Sequence, residues 1–520
     1  MIEAHTGSQV RAAETPFLER GDGPALMRRA AHGLALACAR RLRERRGKVA
    51  GARVVVLAGT GNNGGDGLWA GAELARRGAA VLAVATGDRL HTEGEAALRA
   101  AGGRVLFLGG PDGAGAAGRV LAADLVVDAV LGTGARGGLR GAAAALVQEV
   151  LDGLPDGAGP EVVACDVPSG VGADTGAVHG PVLPAGTTVS FGSAKAGLLL
   201  PPGEALCGRV VTVPLGLEPA LPAPALRRLE PEDVAALWPR PGAGSHKYSR
   251  GVVGVVAGSA TYPGAALMCT RAAVDAGAGM VRHLGDPQTR RLVCLTSPEV
   301  VASEDHPAEV HVQAWVVGPG AVGDPAQESR IDAVLTGPVP AVVDAGALGA
   351  AARAAADGAL GPGKVLTPHA GELAQVLAWL AALGVLEEAP EREGVEAEPA
   401  RWAAAAAAAT GAVVVLKGAT TVVAAPGGLL LAQADGSPWL ATAGSGDTLA
   451  GVMGAVLAAC AEHPDAFAAA GPWARGENRF AVAAALAVAV HGQASRLGGL
   501  GPVPPTVLAQ RVRDVLRARS

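Results

Sequence analysis

Short apolar runs alternate with longer amphipathic stretches from residue 51 onward. The runs are rich in valine and read RVVVLA, AVLAVA, RVLFL, DLVVDAV and EVVACDV. Strands that are apolar at nearly every position are typical of a parallel sheet covered by helices on both faces. The pattern therefore predicts that the first 215 residues form one doubly wound α/β domain, in which a helix near residues 24–42 precedes the alternating runs.

The alternation restarts after a Pro/Ala-rich segment at 216–233, whose prolines suit a linker or a crossing connection. The later runs include RGVVGVVAGS, AWVVGPG, PAVVDAG and AVVVLKGATTVVAAP, which predict a second α/β domain. We place the domains at 1–225 and 226–520. The segments 386–400 and 461–480 are expected to be solvated surface loops.

Composition excludes several classes of protein. The chain has 43 basic and 48 acidic residues, and a net charge of −5 gives no electrostatic footprint for nucleic acid or an anionic membrane. Neither a signal peptide nor an apolar run of about 18 residues is present, so we expect a cytoplasmic protein with no membrane partner. Six scattered cysteines without a CxxC pair argue against a disulfide framework and a zinc site.

A glycine-rich segment, GTGNNGGDG at 59–67, directly follows the first apolar run. It contains the GxGxxG pattern, but this pattern occurs four times in a chain with 76 glycines, against about 1.6 expected by chance. The informative residues are Asn62, Asn63 and Asp66. Their oxygens suit a hard cation or polar hydroxyl groups, whereas an ordinary phosphate loop does not require them.

Two further segments end predicted strands of the same sheet. DAVLGTGARGG carries Asp128, and CDVPSGVGADTG carries Asp166 and Ser169. Because ligands bind at the carboxyl edge of open α/β sheets, we expect these side chains to converge with the glycine-rich turn. Taken singly, each aspartate is equally compatible with a turn or an N-cap.

The second domain has a comparable turn in TAGSGDTLAGVMGAVLA, where Asp447 opens a long apolar helix. Backbone N–H groups and the positive helix end attract an anion, and a carboxylate beside them can activate a hydroxyl. This combination favours phosphoryl transfer to a hydroxyl group. The alternative is an aspartate that only caps the helix.

The ordered motifs NNGGDG, VDAVLGTG and DVPSG resemble the NAD(P)H-hydrate epimerase domain, also called the YjeF N-terminal domain. The resemblance implies a Rossmann-like fold that interconverts the R and S epimers of hydrated NADH or NADPH at C6 of the nicotinamide ring. It implies that Asp166 transfers the proton and also contacts substrate, and that Asn63, Asp128 and Ser169 bind K+. The other implied substrate contacts are Asn62, Asn63, Gly64, Gly65, Asp66, Gly132, Thr133, Gly134, Ala135, Arg136, Gly137 and Gly138.

AGSGDTLAG, together with VVAGSATYPGAA, VVGPG, LTPHAGE and VVLKGATTVV, resembles the ribokinase-like ADP/ATP-dependent NAD(P)H-hydrate dehydratase. The resemblance implies that ADP or ATP, with Mg2+, phosphorylates the C6 hydroxyl, and that phosphate then leaves. Asp447 would be the catalytic residue at that hydroxyl, with Ala266, Gly320 and His369 lining the substrate pocket. The implied nucleotide contacts are Lys417, Gly418, Ala419, Thr420, Thr421 and Gly446.

Together the two resemblances imply a bifunctional enzyme that repairs hydrated NADH (NADHX) and hydrated NADPH (NADPHX) and forms a homo-oligomer. Two other functions stay open, a vitamin or sugar kinase fused to a ligand-binding domain and a non-catalytic N-terminal binding module. For two single residues an alternative also stays open: His369 and Lys417 are compatible with ordinary polar positions on the protein surface. Tyr248 and Tyr262, the only tyrosines, flank one predicted strand and are compatible with ring stacking or with packing.

Overall fold

The computed structural model describes residues 1–110, 113–154 and 159–518. These residues divide into an N-terminal unit, Glu3–Ala225, and a C-terminal unit, Leu226–Ser520 with Met1–Ile2. Each unit contains parallel strands connected by helices, which confirms the predicted α/β class. No helix within the described ranges is both long and apolar enough to span a membrane.

The strands and helices of the N-terminal unit alternate along most of its length. Its strands are β1 (Ile2–His5), β2 (Arg53–Ala58), β3 (Ala80–Ala85), β4 (Arg104–Phe107), β5 (Leu125–Ala129), β6 (Glu161–Cys165), β7 (Thr187–Phe191), β8 (Ala194–Lys195) and β9 (Arg209–Val213). Its helices are α1 (Gly7–Glu19), α2 (Gly23–Arg46), α3 (Asn62–Arg76), α4 (Thr92–Ala100), α5 (Ala116–Leu121), α6 (Gly141–Gly153) and α7 (Glu204–Cys207).

Seven of these strands form one parallel sheet in the order β4-β3-β2-β5-β6-β7-β9, and β1 pairs with β8 beside it. Alternate residues of β2 enter different cores. Val54 and Val56 pack in one cluster, whereas Val55 and Leu57 pack in another. Because successive side chains of a strand point to opposite faces, a strand buried on both faces is apolar at every position.

The C-terminal unit follows the same alternation. Its strands are β10 (Leu226–Arg228), β11 (Val252–Val256), β12 (Met280–Leu284), β13 (Val301–Ser303), β14 (Ala314–Val317), β15 (Ala341–Val343), β16 (Lys364–Leu366), β17 (Val413–Leu416), β18 (Thr421–Ala424) and β19 (Leu430–Gln433). Its helices are α8 (Pro231–Leu237), α9 (Pro263–Asp275), α10 (Pro287–Thr296), α11 (Pro325–Thr336), α12 (Leu348–Ala356), α13 (Ala370–Ala382), α14 (Arg392–Ala397), α15 (Pro399–Thr410), α16 (Ser445–Glu462), α17 (Asn478–Arg496) and α18 (Pro505–Arg517).

The sheet of this unit runs β13-β12-β11-β14-β15-β16-β17-β18-β19-β10. Its strands are parallel from β13 to β17, whereas β18 pairs antiparallel with both β17 and β19. Helices α16 and α17 are buried around most of their circumference. This burial explains their nearly uniform apolar sequence, since a helix exposed on one face would carry a polar stripe.

Three segments differ from the sequence-based expectation. The Pro/Ala-rich segment contains β10, which pairs with β19 through Arg227 and Leu431. The expected loop at 386–400 contains all of α14, whose Val395 is fully buried. The expected loop at 461–480 places Phe467 in the main core, at 1% exposure. Most residues of both segments are at least partly solvent-exposed, as predicted, but 386–400 contains a helix where a loop was expected. A few buried apolar residues anchor the segments, Val395 in the first and Phe467, Ala474 and Phe480 in the second, and the polar composition conceals them.

Close packing of α16 on α9 gives a test of this arrangement. A Cβ added to Gly451 would lie 2.2 Å from the carbonyl oxygen of Cys269 and 2.9 Å from Cβ of Ala272. Gly451→Ala should therefore lower the free energy of unfolding of the C-terminal unit by about 1–3 kcal/mol through overpacking, measured by chemical denaturation. Gly264→Ala in α9 is the matched control, because a Cβ there meets nothing within 4 Å. Equal stability of the two variants would contradict the helix contact.

Candidate active sites

The glycine-rich turn of the N-terminal unit brings three backbone segments into contact. A Cβ on Gly64 would lie 2.1 Å from the carbonyl oxygen of Gly59, and a Cβ on Gly59 would lie 2.1 Å from that of Val130. Only glycine permits this approach without a backbone shift. The turn therefore packs the start of α3 directly against the end of β5, and the first N–H groups of α3 remain available to an anion.

Asp128, at the end of β5, forms the centre of an oxygen-rich cluster. Its carboxylate accepts hydrogen bonds from the Ser169 backbone N–H at 2.7 Å and from the Ser169 hydroxyl at 2.6 Å. Nδ2 of Asn63 donates to the carbonyl oxygen of Leu131 at 3.0 Å, which leaves the amide oxygen of Asn63 for another partner. Burial raises the pKa of Asp128, although its bonds to Ser169 oppose the shift. The three predicted K+ ligands thus share one edge of the sheet.

Asp166, immediately after β6, has a left-handed backbone with φ 67°. Its carboxylate contacts the Lys195 ammonium and the Thr133 hydroxyl, and it accepts from the Phe191 N–H at 3.3 Å. Burial alone would raise the pKa of Asp166, but the Lys195 charge and these hydrogen bonds hold it below the ordinary value. Asp166 is therefore a buried carboxylate that stays ionised near neutral pH.

Asp66 has the opposite environment. Its side chain is 8% exposed, and Oδ1 is buried with no hydrogen-bond partner among the described residues. Burial, followed by the negative charges of Asp166 and Glu14, raises the pKa of Asp66 well above its usual range. The sequence placed Asp66 in the site but gave no indication that its protonation state would differ from that of Asp166.

The 132–138 loop lies over this edge of the sheet. Thr133 contacts Asp166, and the Thr133 carbonyl oxygen accepts from Arg11 of α1 at 3.1 Å. A Cβ on Gly138 would lie 2.0 Å from the carbonyl oxygen of His179, so this end of the loop is fixed by packing. The middle of the loop is exposed, and its predicted substrate contacts are Gly134, Ala135, Arg136 and Gly137.

In the C-terminal unit, α16 begins after Gly444, which caps the helix in a left-handed conformation with φ 91°. Asp447 lies in the first turn, three residues beyond the N-cap, so it is not the capping residue. Burial and the neighbouring Asp344 carboxylate raise the pKa of Asp447 to about 6, while Lys417 lowers it. Asp447 therefore changes its charge close to neutral pH, as a general base requires.

Lys417 directly follows β17 and contacts two carboxylates that come from other elements of the unit. Its Nζ lies 2.8 Å from Oδ1 of Asp344 and 3.7 Å from Oε2 of Glu372. The Thr367 hydroxyl also donates to Asp344, at 2.8 Å. A Cβ built on Gly446 would lie 3.7 Å from Nζ of Lys417, so the lysine faces the glycine turn of α16. Lys417 is thus held beside the glycine turn by an ion pair and is not a lysine directed into solvent.

The remaining predicted residues occupy the same edge with different exposure. His369 caps α13, its Nδ1 accepts from the Glu372 N–H at 3.1 Å, and its side chain is 61% exposed. Ala266 is fully buried, and a Cβ on Gly320 would lie 2.9 Å from the carbonyl oxygen of Tyr262. In the KGATT segment, Gly418 and Ala419 are exposed, whereas Thr420 and Thr421 are buried.

The two tyrosines lie at different places and neither is buried. Tyr262 is 55% exposed and neighbours Gly320, whereas Tyr248 is 47% exposed and forms an edge contact with His246. Only Tyr262 lies near the predicted substrate pocket, because Tyr248 precedes β11 and Tyr262 follows it. Because about half of each residue is exposed, packing in a hydrophobic core does not explain the presence of either tyrosine.

Sequence reasoning missed Lys195 and Asp344, the charged partners of two site residues. Asp344 follows β15 in the run PAVVDAG, and the rule that selected Asp128 and Asp166, an acid at a strand end, would also have selected it. Lys195 gave a weaker signal, a single lysine in the otherwise neutral segment FGSAKAG. Lys195 is only 1% exposed, which is unusual for lysine, but this sign of a special role is visible only in the structure.

Comparison with known proteins covers both units. The family model described as YjeF-related protein N-terminus matches residues 23–197, and the model described as NAD(P)H-hydrate dehydratase matches residues 253–499. The chain is 41% identical over 456 residues to the bifunctional NAD(P)H-hydrate repair enzyme Nnr of Mycobacterium tuberculosis, covering 86% of this chain and 88% of the relative.

Two relatives match one half of the chain. The NAD(P)H-hydrate epimerase of Clavibacter michiganensis is 44% identical over 230 residues, which cover 44% of this chain and 96% of that protein. A crystal structure of the ADP/ATP-dependent NAD(P)H-hydrate dehydratase of Bacillus subtilis, co-crystallised with ATP/Mg2+, is 26% identical. It covers 56% of this chain and 98% of its own, with a TM-score of 0.45.

The match to the mycobacterial enzyme extends across both units and over most of each chain, with both family models in the same order. By these matches, the chain belongs to the family of bifunctional NAD(P)H-hydrate repair enzymes.

Proposed function

We propose that this chain repairs hydrated NADH and NADPH in two steps. The N-terminal unit interconverts the R and S epimers of the hydrate, and the C-terminal unit uses ADP or ATP to dehydrate the S epimer to NAD(P)H. The observation that carries the second step is the position of Asp447 in the first turn of α16, beside Gly446, whose added Cβ would lie 3.7 Å from Nζ of Lys417. This arrangement provides a base and anion donors at one point.

In the dehydratase step, Asp447 accepts the proton of the C6 hydroxyl while the hydroxyl oxygen attacks the terminal phosphoryl group. The N–H groups of the α16 turn and Lys417 stabilise the charge that develops on that group. The phosphoester then loses phosphate, a better leaving group than hydroxide, as the lone pair of the ring nitrogen forms a C6=N bond. Loss of a proton from C5 to water or to the departing phosphate returns the electron pair to nitrogen and forms the C5=C6 bond of NAD(P)H. Ala266, Gly320 and His369 line the proposed substrate pocket, and the proposed nucleotide contacts are Lys417–Thr421 and Gly446.

A divalent cation fits the charges of this site. Asp344, Glu372 and Asp447 surround the single ammonium group of Lys417, so a polyphosphate entering the site needs an additional positive charge. No group of three or more His, Cys, Asp or Glu side chains arranged to hold a metal ion occurs among the described residues. Mg2+ is usually bound by one or two carboxylates with the phosphates and water, so we propose that it arrives with the nucleotide.

In the epimerase unit, Asn63, Asp128 and Ser169 are the proposed K+ ligands. The cluster offers one carboxylate together with neutral amide, hydroxyl and carbonyl oxygens, which fits a hard cation of low charge. The bound cation would neutralise the buried Asp128 carboxylate and fix the end of the 132–138 loop. The proposed substrate contacts are Asn62–Asp66, Gly132–Gly138 and Asp166.

We further propose a cytoplasmic homo-oligomer that acts on both NADHX and NADPHX, as the family resemblance suggests. The alternative, a vitamin or sugar kinase fused to a ligand-binding domain, would release a stable phosphoester. Incubation of the full chain with mixed NADHX epimers and ADP or ATP distinguishes these functions. Repair yields free phosphate and restores the absorbance of the dihydropyridine ring.

The role of Asp447 predicts a large effect of an isosteric change. Asp447→Asn keeps the shape of the side chain but removes the base, so the rate of NADH recovery from the S epimer should fall by about 100-fold or more. The control is Glu462→Gln, which removes the same charge at the exposed end of α16. An undiminished rate in the Asp447 variant would contradict the proposed mechanism.

The pH dependence of the dehydratase should report the ionisation of Asp447. Because the carboxylate form is the base, kcat/KM for the S epimer should fall as the pH drops through about 6 and be constant above it. Lys417 lowers this pKa, so Lys417→Met should move the midpoint to a higher pH. A midpoint that shifts to a lower pH, or does not move, would exclude Lys417 as the charge that tunes Asp447.

The K+ site predicts an ion-specific stabilisation of the N-terminal unit. KCl should raise its thermal unfolding midpoint above that in tetramethylammonium chloride of equal ionic strength, since a ligand bound only to the folded state stabilises it. Asp128→Asn should abolish the difference. Asp124→Asn, a change just before the same strand, should keep it. Equal midpoints of the unmodified chain in the two salts would disprove the site.

A further inference from the structure

The carboxyl group of Asp66 has no structural explanation within the fold. It lies five residues beyond the N-cap of α3, Gly61, so it cannot supply the N-cap hydrogen bond. Its Oδ1 is buried with no hydrogen-bond partner in the described part of the chain, although such an atom is costly to bury. An unpartnered carboxyl in a ligand site indicates a partner that arrives with the ligand.

Lys195, the cation whose charge opposes the rise in the pKa of Asp66, is already fully engaged by other groups. Nζ of Lys195 contacts Oδ1 of Asp166 and donates to Ser190 Oγ at 3.2 Å and to the carbonyl oxygen of Phe191 at 2.8 Å. An ammonium group has three protons, and these three acceptors use them. Lys195 therefore fixes Asp166 as the ionised carboxylate and has no proton left for Asp66.

The two carboxyl groups consequently carry different protonation states at one edge of the sheet. Asp166 accepts hydrogen bonds from Lys195, Thr133 and Phe191, all of which favour the charged form. Asp66 is buried, and the negative charges of Asp166 and Glu14 act on it. Both effects favour the neutral form of its carboxyl group. Two carboxyl groups with opposite environments commonly divide the acid and base roles of a reaction.

We propose that Asp66 is the acid that works with the base Asp166 during epimerisation, an inference that rests on the proposed function of the N-terminal unit. Asp66 gives its proton to the C6 hydroxyl, and the C6–O bond breaks with both electrons on oxygen, so that water leaves. The lone pair of the ring nitrogen forms a C6=N bond. A water molecule then adds to the other face of C6, the electron pair returns to nitrogen, and Asp166 accepts the proton of that water.

The two residues exchange roles in the opposite direction, which microscopic reversibility requires for interconversion of two epimers. Asp166, protonated at the end of one turnover, returns its proton through water to Asp66. The reaction consumes no reductant, oxidant or nucleotide, and one water leaves while another enters. Solvent oxygen must therefore appear at C6 of the epimerised hydrate.

The test uses the full chain with separated R and S epimers of NADHX and a nucleotide. Asp66→Asn should slow NADH recovery from the R epimer by about 100-fold or more and leave recovery from the S epimer unchanged. Glu73→Gln, on the surface-facing part of α3 beside His32 and Arg77, should not alter either rate. Undiminished recovery from the R epimer in the Asp66 variant would overturn the proposal.

Further measurements separate proton transfer from positioning. Loss of the acid should lower kcat for the R epimer with little change in KM, and should remove the alkaline limb of the pH profile. A raised KM with unchanged kcat would show that Asp66 only binds substrate. In oxygen-18 water, the unmodified chain should label the epimerised hydrate, and an unlabelled product would overturn C–O cleavage. If the unmodified chain does not consume the R epimer at all, the proposed epimerase function itself fails.

Discussion

Both units depend on the pairing of a buried carboxylate with a lysine at the carboxyl edge of a parallel sheet. Asp166 pairs with Lys195 in the first unit, and Asp344 pairs with Lys417 in the second. An isolated charge in such an environment is costly, and each ion pair offsets that cost. Each lysine also opposes the rise in pKa that burial causes at a second carboxyl, Asp66 in the first unit and Asp447 in the second.

Each unit adds a second carboxyl that lacks such a partner. Asp66 and Asp447 both lie near the start of a helix that follows a glycine-rich turn, and burial raises the pKa of both. Each site thus combines a carboxylate that is paired with a lysine and a second carboxyl whose pKa is raised. The two units reach this arrangement with different strand orders.

Glycine makes this density of charged groups possible. At Gly59 and Gly64 a side chain would collide with neighbouring carbonyl oxygens, and at Gly451 it would collide with α9. The backbone segments that carry the site therefore approach more closely than any other residue permits. The same composition, poor in aromatic residues, builds the core from alanine, valine and leucine, whose small volumes tolerate close strand and helix packing.

The order of residues along the chain was enough to predict the local elements and the motifs they carry. The strands Arg53–Ala58 and Ala80–Ala85 begin and end where the apolar runs do, because continuous apolarity is the direct consequence of burial on both faces. It also determined that Asp128, Asp166 and Asp447 end strands or open helices, since local turn chemistry fixes those positions.

Which charges meet depends on how the chain folds in three dimensions. Lys195 lies 29 residues from Asp166, and Lys417 lies 73 residues from Asp344, so strand order and crossover connections, which no local pattern encodes, bring them together. Asp66 and Asp166 are equally buried, and their protonation states differ because Asp166 has the Lys195 charge and hydrogen bonds from Thr133 and Phe191, whereas Asp66 has neighbouring negative charges.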